Sequence, residues 1–262
     1  MAGHHPTAVP TGSLVLITGI TSYVASYTAK DLLERGYRGR GVVRNLPQAA
    51  WLTEELFASF TEAGVFDLVE IPDLAAPNAF HGIIFESRPS AIIHTATPMS
   101  FDPDPSNVIT PVVQTISSLL QAAALVPSAQ RFVYTSSIGA AYSPRVAIPA
   151  ILTKDVWNDA AIEAAWSPPP YMPERGGKVY AASKVEAERV MFRFIEDTNP
   201  GFTVSSVNPI FILGPVMHKR HLQGSAGWVR NVYHGEPRVS GVKPFGGCIL
   251  HFLVLVMQYI DS

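Results

Sequence analysis

Short apolar runs alternate with amphipathic segments along most of this chain. Apolar runs of strand length occur at Leu14 to Thr18, Gly41 to Arg44, Val65 to Ile71, Ala91 to Thr95, Arg131 to Ser136 and Thr203 to Asn208. Helical periodicity lies between them, at Tyr23 to Arg35, Ala49 to Glu62, Asn78 to Glu86, Asn107 to Ala124 and a segment around Tyr180. Strands that are apolar throughout and alternate with helices are typical of a parallel sheet covered on both faces. The predicted fold class is therefore α/β, a Rossmann-type doubly wound parallel sheet.

The pattern also predicts how the chain is divided. Residues 1–12 show no periodicity and are predicted to be a flexible tail, followed by a main domain over 13–209 with an insert at 145–179 near the active site. Residues 210–262 are predicted to form a small, apparently truncated C-terminal substrate lobe with an atypical apolar end, Cys248 to Ile260. That end is about 13 residues long, whereas a helix that crosses a bilayer needs roughly 20, so no membrane span is expected.

Composition excludes some classes of partner. The chain has 262 residues, of which 47% are hydrophobic, so it can bury a full core. A formal net charge of -2 and a pI near 6.4 provide no bulk basic field, so we expect no nucleic acid partner. A single cysteine suits a reducing compartment, and the start of the chain lacks the pattern of a secretory signal. The expected location is cytoplasmic.

One tyrosine and one lysine stand four residues apart, Tyr180 and Lys184, and no other of the nine tyrosines has this spacing to a lysine. On a helix the spacing places both side chains on one face, one turn apart. An ammonium beside a phenol favours the phenolate, so the tyrosine pKa is expected to fall from about 10 toward neutrality. Such a tyrosine can pass a proton to or from a substrate oxygen.

The first predicted strand ends in a turn with the spacing Gly-xx-Gly-xx-Gly, which is typical of a phosphate-binding turn before a helix. Only the first glycine, Gly19, is present, and Ser22 and Ala25 occupy the other two positions. Alanine still permits close packing of helix and strand. The Ser22 side chain would either crowd a pyrophosphate or donate its hydroxyl to a phosphate oxygen. An ordinary strand-to-helix turn is the alternative.

The ends of the second and third strands bear on the nucleotide. A ribose 2′-hydroxyl calls for Asp or Glu after the second strand, and a 2′-phosphate calls for Arg. The chain has Arg44 there, about 25 residues after Gly19, and no acid adjoins it in sequence. Asp73 and Leu74 would contact adenine, unless Asp73 merely opens a loop. The predicted cofactor is NADP(H) rather than NAD.

The fifth strand ends in hydroxyl side chains, Thr135-Ser136-Ser137. Ligands of an open parallel sheet bind beyond the carboxyl ends of its strands, where a serine can donate to a substrate carbonyl oxygen. Alone, two serines at a strand end more often form a cap or turn. Tyr180 further along the chain favours the catalytic interpretation for Ser137, with Ser136 as the second choice.

Seven motifs together resemble those of one protein family. They are the TGITSYVAS turn, Val43-Arg44, Asp73-Leu74, His94-Thr95-Ala96-Thr97-Pro98, Thr135-Ser136-Ser137, Tyr180-Ala181-Ala182-Ser183-Lys184, and Asn208-Pro209 with Gly214-Pro215. In this order the chain resembles the extended short-chain dehydrogenases/reductases, within the NAD-dependent epimerase/dehydratase superfamily. It is most similar to the dihydroflavonol reductase-like branch, close to fungal NADPH-dependent aldehyde and ketone reductases.

The resemblance implies roles for single residues. Tyr180 would protonate the new alkoxide, Lys184 would lower the Tyr180 pKa and hold the nicotinamide ribose, and Ser137 would bind the carbonyl. Residues implied to bind the cofactor are Gly19, Thr21, Ser22, Tyr23, Val24, Arg44, Asp73, Leu74, Ala96, Thr97, Tyr180, Lys184 and Pro209. Buried on a strand, His94 is interpreted as a core residue, and no metal is expected.

These roles imply an NADPH-dependent reductase of a ketone or aldehyde on a small apolar or aromatic molecule of the secondary-metabolite type, acting as a monomer or homodimer. The insert from Trp157 to Lys178 would form a pocket wall, with Met99, Phe101 and Tyr171 as contacts. Two alternatives stay open: a sugar-nucleotide epimerase or dehydratase, and an inactive or dinucleotide-sensing protein. Relatives of this branch usually extend further, so the end would be a truncation, a mis-spliced tail or a genuine variant.

Overall fold

In the computed structural model, a parallel sheet of six strands forms the centre of the molecule, in the order β3-β2-β1-β4-β5-β6. The structure describes residues 9–98, 100–143, 151–153, 156–210, 212, 214–223, 227, 230–231 and 234. Every neighbouring pair of strands in the sheet is parallel. This strand order is that of the doubly wound dinucleotide-binding fold, which confirms the predicted fold class.

The strands are β1 (Leu14–Thr18), β2 (Arg38–Val43), β3 (Phe66–Glu70), β4 (Ala91–His94), β5 (Arg131–Thr135) and β6 (Thr203–Val207). The α-helices are α1 (Tyr23–Glu34), α2 (Leu46–Ala49), α3 (Ala58–Glu62), α4 (His81–Ser87), α5 (Ile109–Ala124), α6 (Asp159–Ala165) and α7 (Gly176–Thr198). A π-helical turn spans Leu52–Leu56, and 3₁₀ turns span Pro105–Asn107, Ile138–Ala140, Pro173–Arg175 and Lys219–Gln223.

Two apolar layers cover the sheet because successive residues of a strand point to opposite faces. Val15 and Ile17 of β1 pack in one layer with α1, Trp51 and Phe57. Leu16 packs in the other layer with residues of α5 and α7. Both faces are therefore buried, and the strand ends at the carboxyl edge are fixed from two sides.

The structure differs from the predicted elements most clearly in strand β2, in the helix predicted after it and in the insert. Strand β2 begins at Arg38, three residues before the predicted start, because Arg38 pairs with Leu14 and Arg40 makes a bidentate ion pair with Asp67 of β3. The predicted helix from Ala49 to Glu62 is divided into α2, the π-helical turn and α3. Helix α6 was not predicted; it forms within the insert.

Candidate active site

The loops after β1 and β4 meet through one buried side chain at the carboxyl edge of the sheet. Thr18 Oγ1 accepts from the backbone N–H groups of Thr95 and Ala96, at 3.1 and 3.2 Å. Its own hydrogen is then free to donate to Nδ1 of His94, 2.7 Å away. Burial, and secondarily the charge of Lys184, lower the pKa of His94 to about 3. His94 is thus a neutral core residue with a partner, in line with its interpretation from the sequence.

Gly19 opens the predicted phosphate turn in a conformation that favours glycine. Its φ is +71°, and a Cβ atom there would lie 2.8 Å from the backbone N of Ala96. The missing side chain lets the turn after β1 lie against the loop after β4. The first turn of α1 therefore begins at the carboxyl edge of the sheet, next to the loop after β4 that contains Ala96 and Thr97.

Ser22 is the N-cap of helix α1, with its Oγ accepting from the N–H of Ala25 at 3.3 Å. Its side chain thus faces its own helix, which relieves the crowding expected from a serine at this position. Thr21 and Ser22 are exposed, and Tyr23 is buried. Because the first N–H groups of a helix lack intrahelical acceptors and lie at its positive end, the N–H groups of Tyr23 and Val24 suit an anionic phosphate.

Arg44 follows β2 and is exposed. Asp73 is also exposed, but its Oδ1 accepts from the N–H of Ala75 at 2.9 Å, so it shapes its own loop. Leu74 packs against the apolar layer that contains α5. Glu70, the last residue of β3, brings its carboxylate to the turn after β2, where Oε2 accepts from the N–H of Leu46 at 2.7 Å. Sequence reasoning did not detect this acid at the turn after β2, because β2 and β3 are far apart along the chain.

Ser137, which follows β5, lies near Tyr180 of helix α7. The Ser137 hydroxyl lies close enough to the Tyr180 phenol to lower its pKa in part. Burial has the larger effect, so the pKa of Tyr180 lies above its ordinary value. This direction differs from the predicted one, because Lys184 Nζ lies 5.9 Å from the centre of the Tyr180 ring and is itself buried.

Lys184 is held at the carboxyl edge by neutral acceptors. Its Nζ donates to Oγ1 of Thr97 at 2.7 Å and to the backbone O of Thr135 at 2.9 Å, and it lies 4.8 Å from the centre of the Tyr134 ring. Burial lowers the pKa of Lys184 to about 7, and the carboxylate of Glu188 acts against this effect. Two of its three N–H donors are used by these contacts, and the third is available to a ligand.

The two candidate serines have different surroundings. Ser137 begins the 3₁₀ turn Ile138–Ala140, and its Oγ accepts from the N–H of Gly139 at 3.2 Å in addition to contacting Tyr180. Ser136 Oγ is buried and has no hydrogen-bond partner among the described residues. Pro209 O accepts from the N–H of Ile138 at 3.0 Å, which fixes the turn that carries Ser137 to the chain after β6. Of the two serines, Ser137, the first choice from the sequence, is the one that affects Tyr180, and its catalytic role stays a prediction.

An aromatic side chain lies beside Tyr180. The ring centres of Phe101 and Tyr180 are 5.4 Å apart, and Phe101 has a φ of +49°. Gly176 permits this approach, since a Cβ atom there would lie 2.1 Å from the backbone O of Phe101. Tyr171 is exposed and packs under the Arg175 guanidinium at 4.9 Å. Met99 lies outside the described residues.

Two buried polar residues near the site were missed by sequence reasoning. Asn158 donates to the backbone O of Gly139 at 2.8 Å and to Oγ of Ser143 at 2.9 Å, so it braces the turn after Ser137. Glu188 lies one helical turn beyond Lys184 and accepts from Nδ2 of Asn208 at 2.7 Å. The spacing Tyr180, Lys184, Glu188 was the signal that would have identified the second residue.

Within the described residues, no group of three or more His, Cys, Asp or Glu side chains is arranged to hold a metal ion. None of the helices in the same part of the chain has the length and apolar character needed to cross a membrane.

The sequence model of the NAD dependent epimerase/dehydratase family matches residues 15–247. The chain belongs to this family, the extended short-chain dehydrogenases/reductases, as its motifs predicted. The predictions of an oxidoreductase and of a nicotinamide dinucleotide cofactor are confirmed at the level of this family: two similar members are named an aldehyde reductase and a ketoreductase, and a structure that shares the fold is described in complex with NADPH.

Three curated relatives show where in the family the chain lies. It is 40% identical to the NAD-dependent epimerase/dehydratase terH of Aspergillus terreus over 97% of this chain and 76% of the relative. Identity is 34% to aldehyde reductase 2 of Sporidiobolus salmonicolor, over 90% of this chain and 68% of the relative. Identity is 36% to the ketoreductase nvfG of Aspergillus novofumigatus, over 87% of this chain and 66% of the relative. The chain spans two thirds to three quarters of these relatives.

Two solved structures share the fold. One is a reductase engineered to attenuate substrate inhibition in asymmetric catalysis, with a TM-score of 0.73 and 26% identity, covering 86% of this chain and 67% of that one. The other is Gre2 of Candida albicans in complex with NADPH, with a TM-score of 0.67 and 26% identity. The match covers 79% of this chain and 60% of that one.

Proposed function

We propose that this protein is an NADPH-dependent reductase of ketones or aldehydes on small apolar or aromatic molecules. The observation that carries the proposal is that the Ser137 hydroxyl lies near the Tyr180 phenol, with Lys184 one helical turn away at the carboxyl edge of the sheet. Relatives named as an aldehyde reductase and a ketoreductase support the same reaction class. Residues 13–209 would form the nucleotide-binding domain, and 210–262 would contribute to the substrate lobe.

The residues present fit a nicotinamide dinucleotide. Gly19 lets the start of α1 lie close to the loop after β4, and the N–H groups of Tyr23 and Val24 would receive the pyrophosphate. Lys184 would give its remaining N–H to the nicotinamide ribose, beside Thr97. The exposed Arg44 guanidinium would bind a 2′-phosphate. When bound, NADPH supplies the hydride of the reaction.

The proton chemistry follows from the two hydroxyl groups. Ser137 would donate a hydrogen bond to the substrate carbonyl oxygen and so stabilise the negative charge that develops there. Tyr180 would then give its proton to the alkoxide oxygen. Because burial raises the Tyr180 pKa, the phenol is protonated at neutral pH and is ready to act as an acid in the reducing direction. Lys184, when protonated, would stabilise the phenolate that remains.

The substrate class rests on the surface next to Tyr180. Phe101 lies against the Tyr180 ring, and Trp166, Tyr171 and Met172 are exposed apolar or aromatic residues of the insert. The Arg175 guanidinium packs on Tyr171 but donates to the backbone O atoms of Ser167 and Pro168, and the four side chains themselves carry no charge. They suit an apolar or aromatic substrate better than the one required by an epimerase or dehydratase. An inactive sensor would not need the Tyr180–Ser137 contact, so the reductase explains more of the site.

The cofactor part of the proposal is tested by titrating the purified chain with NADPH and with NADH while following nicotinamide fluorescence. Micromolar binding that favours NADPH is expected. Arg44→Ala should weaken NADPH binding about tenfold or more and leave NADH binding nearly unchanged. Arg38→Ala, an exposed arginine at the opposite end of β2, is the matched control. If Arg44→Ala leaves the preference for NADPH intact, the proposed role of Arg44 is wrong.

The reaction is tested by NADPH consumption with a panel of aromatic and aliphatic ketones and aldehydes, with sugar nucleotides alongside. Consumption with an apolar carbonyl and none with a sugar nucleotide is expected. Turnover of a sugar nucleotide, or tight NADPH binding with no carbonyl reduced, would overturn the reductase. The cytoplasmic location and the monomeric or homodimeric state stay predictions.

A further inference from the structure

A third ionisable side chain extends the buried face of α7 that carries Tyr180 and Lys184. Glu188 lies one turn beyond Lys184, and its residue is only 6% exposed. No direct ion pair joins Lys184 to Glu188 among the described residues, because Lys184 Nζ is bonded to Thr97 and to the backbone of Thr135. The two opposite charges therefore act on each other through space inside the protein.

Glu188 is connected to the Ser137 turn through one amide. Asn208 Nδ2 donates to Oε1 of Glu188 at 2.7 Å and to the backbone O of Ser137 at 3.2 Å. The other end of this amide, Oδ1, accepts from Oγ of Ser206 at 2.9 Å. The amide thus uses both of its N–H donors and one acceptor position, which fixes its orientation. Asn208 joins α7 to the residue that contacts Tyr180.

We propose that Glu188 and Asn208 are positioning residues for the reductase site. Glu188 balances the charge of Lys184, and Asn208, anchored by Glu188, holds Ser137 against Tyr180. The inference rests on the proposed function for its kinetic part. It assigns a task to two polar groups that have no reaction step of their own but are buried or half-buried beside the reacting groups.

The titratable groups that face Lys184 support the assignment of charge balance to Glu188 and of Ser137 placement to Asn208. Tyr180 and Glu188 face it from α7, His94 from β4 and Tyr134 from β5. His94 is neutral, and the two phenols are neutral at pH 7 because burial raises the pKa of each. Glu188 is the charge that favours the protonated form of Lys184.

Glu188→Gln separates the charge from the hydrogen bond, because the glutamine oxygen still accepts from Asn208. In this variant the pKa of Lys184 should fall, so the basic limb of the kcat/KM profile for NADPH-dependent reduction should move to lower pH by about one unit. Asn208→Ala keeps the carboxylate but releases Ser137. It should lower kcat about tenfold or more, with a smaller change in the pH at which activity falls. Ser206→Ala, a milder change, should give a smaller loss of the same kind.

Glu196→Gln is the matched control, since it makes the same substitution at an exposed position two turns further along α7. The lysine titration is also measured without turnover, by NMR of protein labelled with carbon-13 at the lysine ε position, with Lys184→Met to assign the signal. A Glu188→Gln protein that titrates like the wild type in this experiment overturns the role of Glu188. An unchanged kcat in folded Asn208→Ala overturns the role of Asn208. If no carbonyl is reduced by the wild type, the proposed reaction fails, while the NMR titration still decides whether Glu188 sets the charge of Lys184.

Discussion

Lys184 Nζ lies 2.7 Å from Oγ1 of Thr97, so a residue in the middle of α7 is tied to the loop after β4. Thr97 is 87 positions from Lys184 in the chain, yet the contact places the ammonium at the strand ends where ligands of this fold bind. Burial at this edge gives Lys184 a pKa of about 7 beside the half-buried Tyr180, whose pKa is raised. The predictions below follow from this arrangement.

Tyr180→Phe should reduce turnover by about 10²–10⁴-fold and leave the Kd for NADPH within about twofold of the wild type, because only the phenolic hydroxyl is lost. Steady-state kinetics and a fluorescence titration measure the two quantities. Tyr37→Phe is the control: Tyr37 precedes β2 at the amino edge of the sheet, and its hydroxyl donates to the backbone O of Val9. The control should lose stability and keep activity. Full activity in Tyr180→Phe would exclude this tyrosine as the acid.

Ser137→Ala and Ser136→Ala form a pair of adjacent, identical changes. Ser137→Ala should lower kcat about 10²-fold, since it removes the donor to the developing alkoxide. Ser136→Ala removes a buried hydroxyl that has no hydrogen-bond partner among the described residues, so stability and kcat should stay close to wild type. Kinetics and thermal unfolding of both variants decide between them. The reverse order of effects would mean that Ser136 binds the carbonyl.

Gly19→Ala should destabilise the protein and abolish NADPH binding. The positive φ costs about 1 kcal/mol for alanine, and the approach of its Cβ to the backbone of Ala96 adds about 1–3 kcal/mol. Gly64→Ala is a matched control, because Gly64 has a φ of +69° and nothing lies within 4 Å of a Cβ atom there. Gly64→Ala should lower the free energy of unfolding only by the about 1 kcal/mol that the positive φ costs, and it should bind NADPH normally. Equal free energies of unfolding for the two variants would contradict the packing argument.

Lys184 should make stability depend on pH above neutrality. Its pKa is about 7 in the folded protein and about 10.5 in the unfolded chain, so the unfolded chain binds more protons between these values. The free energy of unfolding should therefore rise with pH across this window, by at most about 1.4 kcal/mol per pH unit. Urea unfolding at pH 7, 8 and 9 measures the slope.

Lys184→Met should lose this slope together with activity. Lys178→Met, which replaces an exposed lysine of the same helix, should keep the wild-type slope. A slope that persists unchanged in Lys184→Met would mean that other groups cause it.

Local sequence determined the elements that create the site. The apolar runs predicted all six strands in their order, and the Tyr180–Lys184 spacing placed both side chains on one helical face. Gly19 was identified because a phosphate turn needs a residue that accepts its backbone conformation. In each case the cause lies within a few neighbouring residues, so the sequence alone contains it.

Tertiary structure decided what depends on distant parts of the chain. The sequence suggested that Lys184 lowers the Tyr180 pKa, but burial by other elements raises it. Glu70 beside the turn after β2, and Asn208 between Glu188 and Ser137, are juxtapositions that only the sheet order creates. Desolvation and long-range hydrogen bonds are properties of the packed whole, whereas periodicity, spacing and turn chemistry are properties of the chain itself.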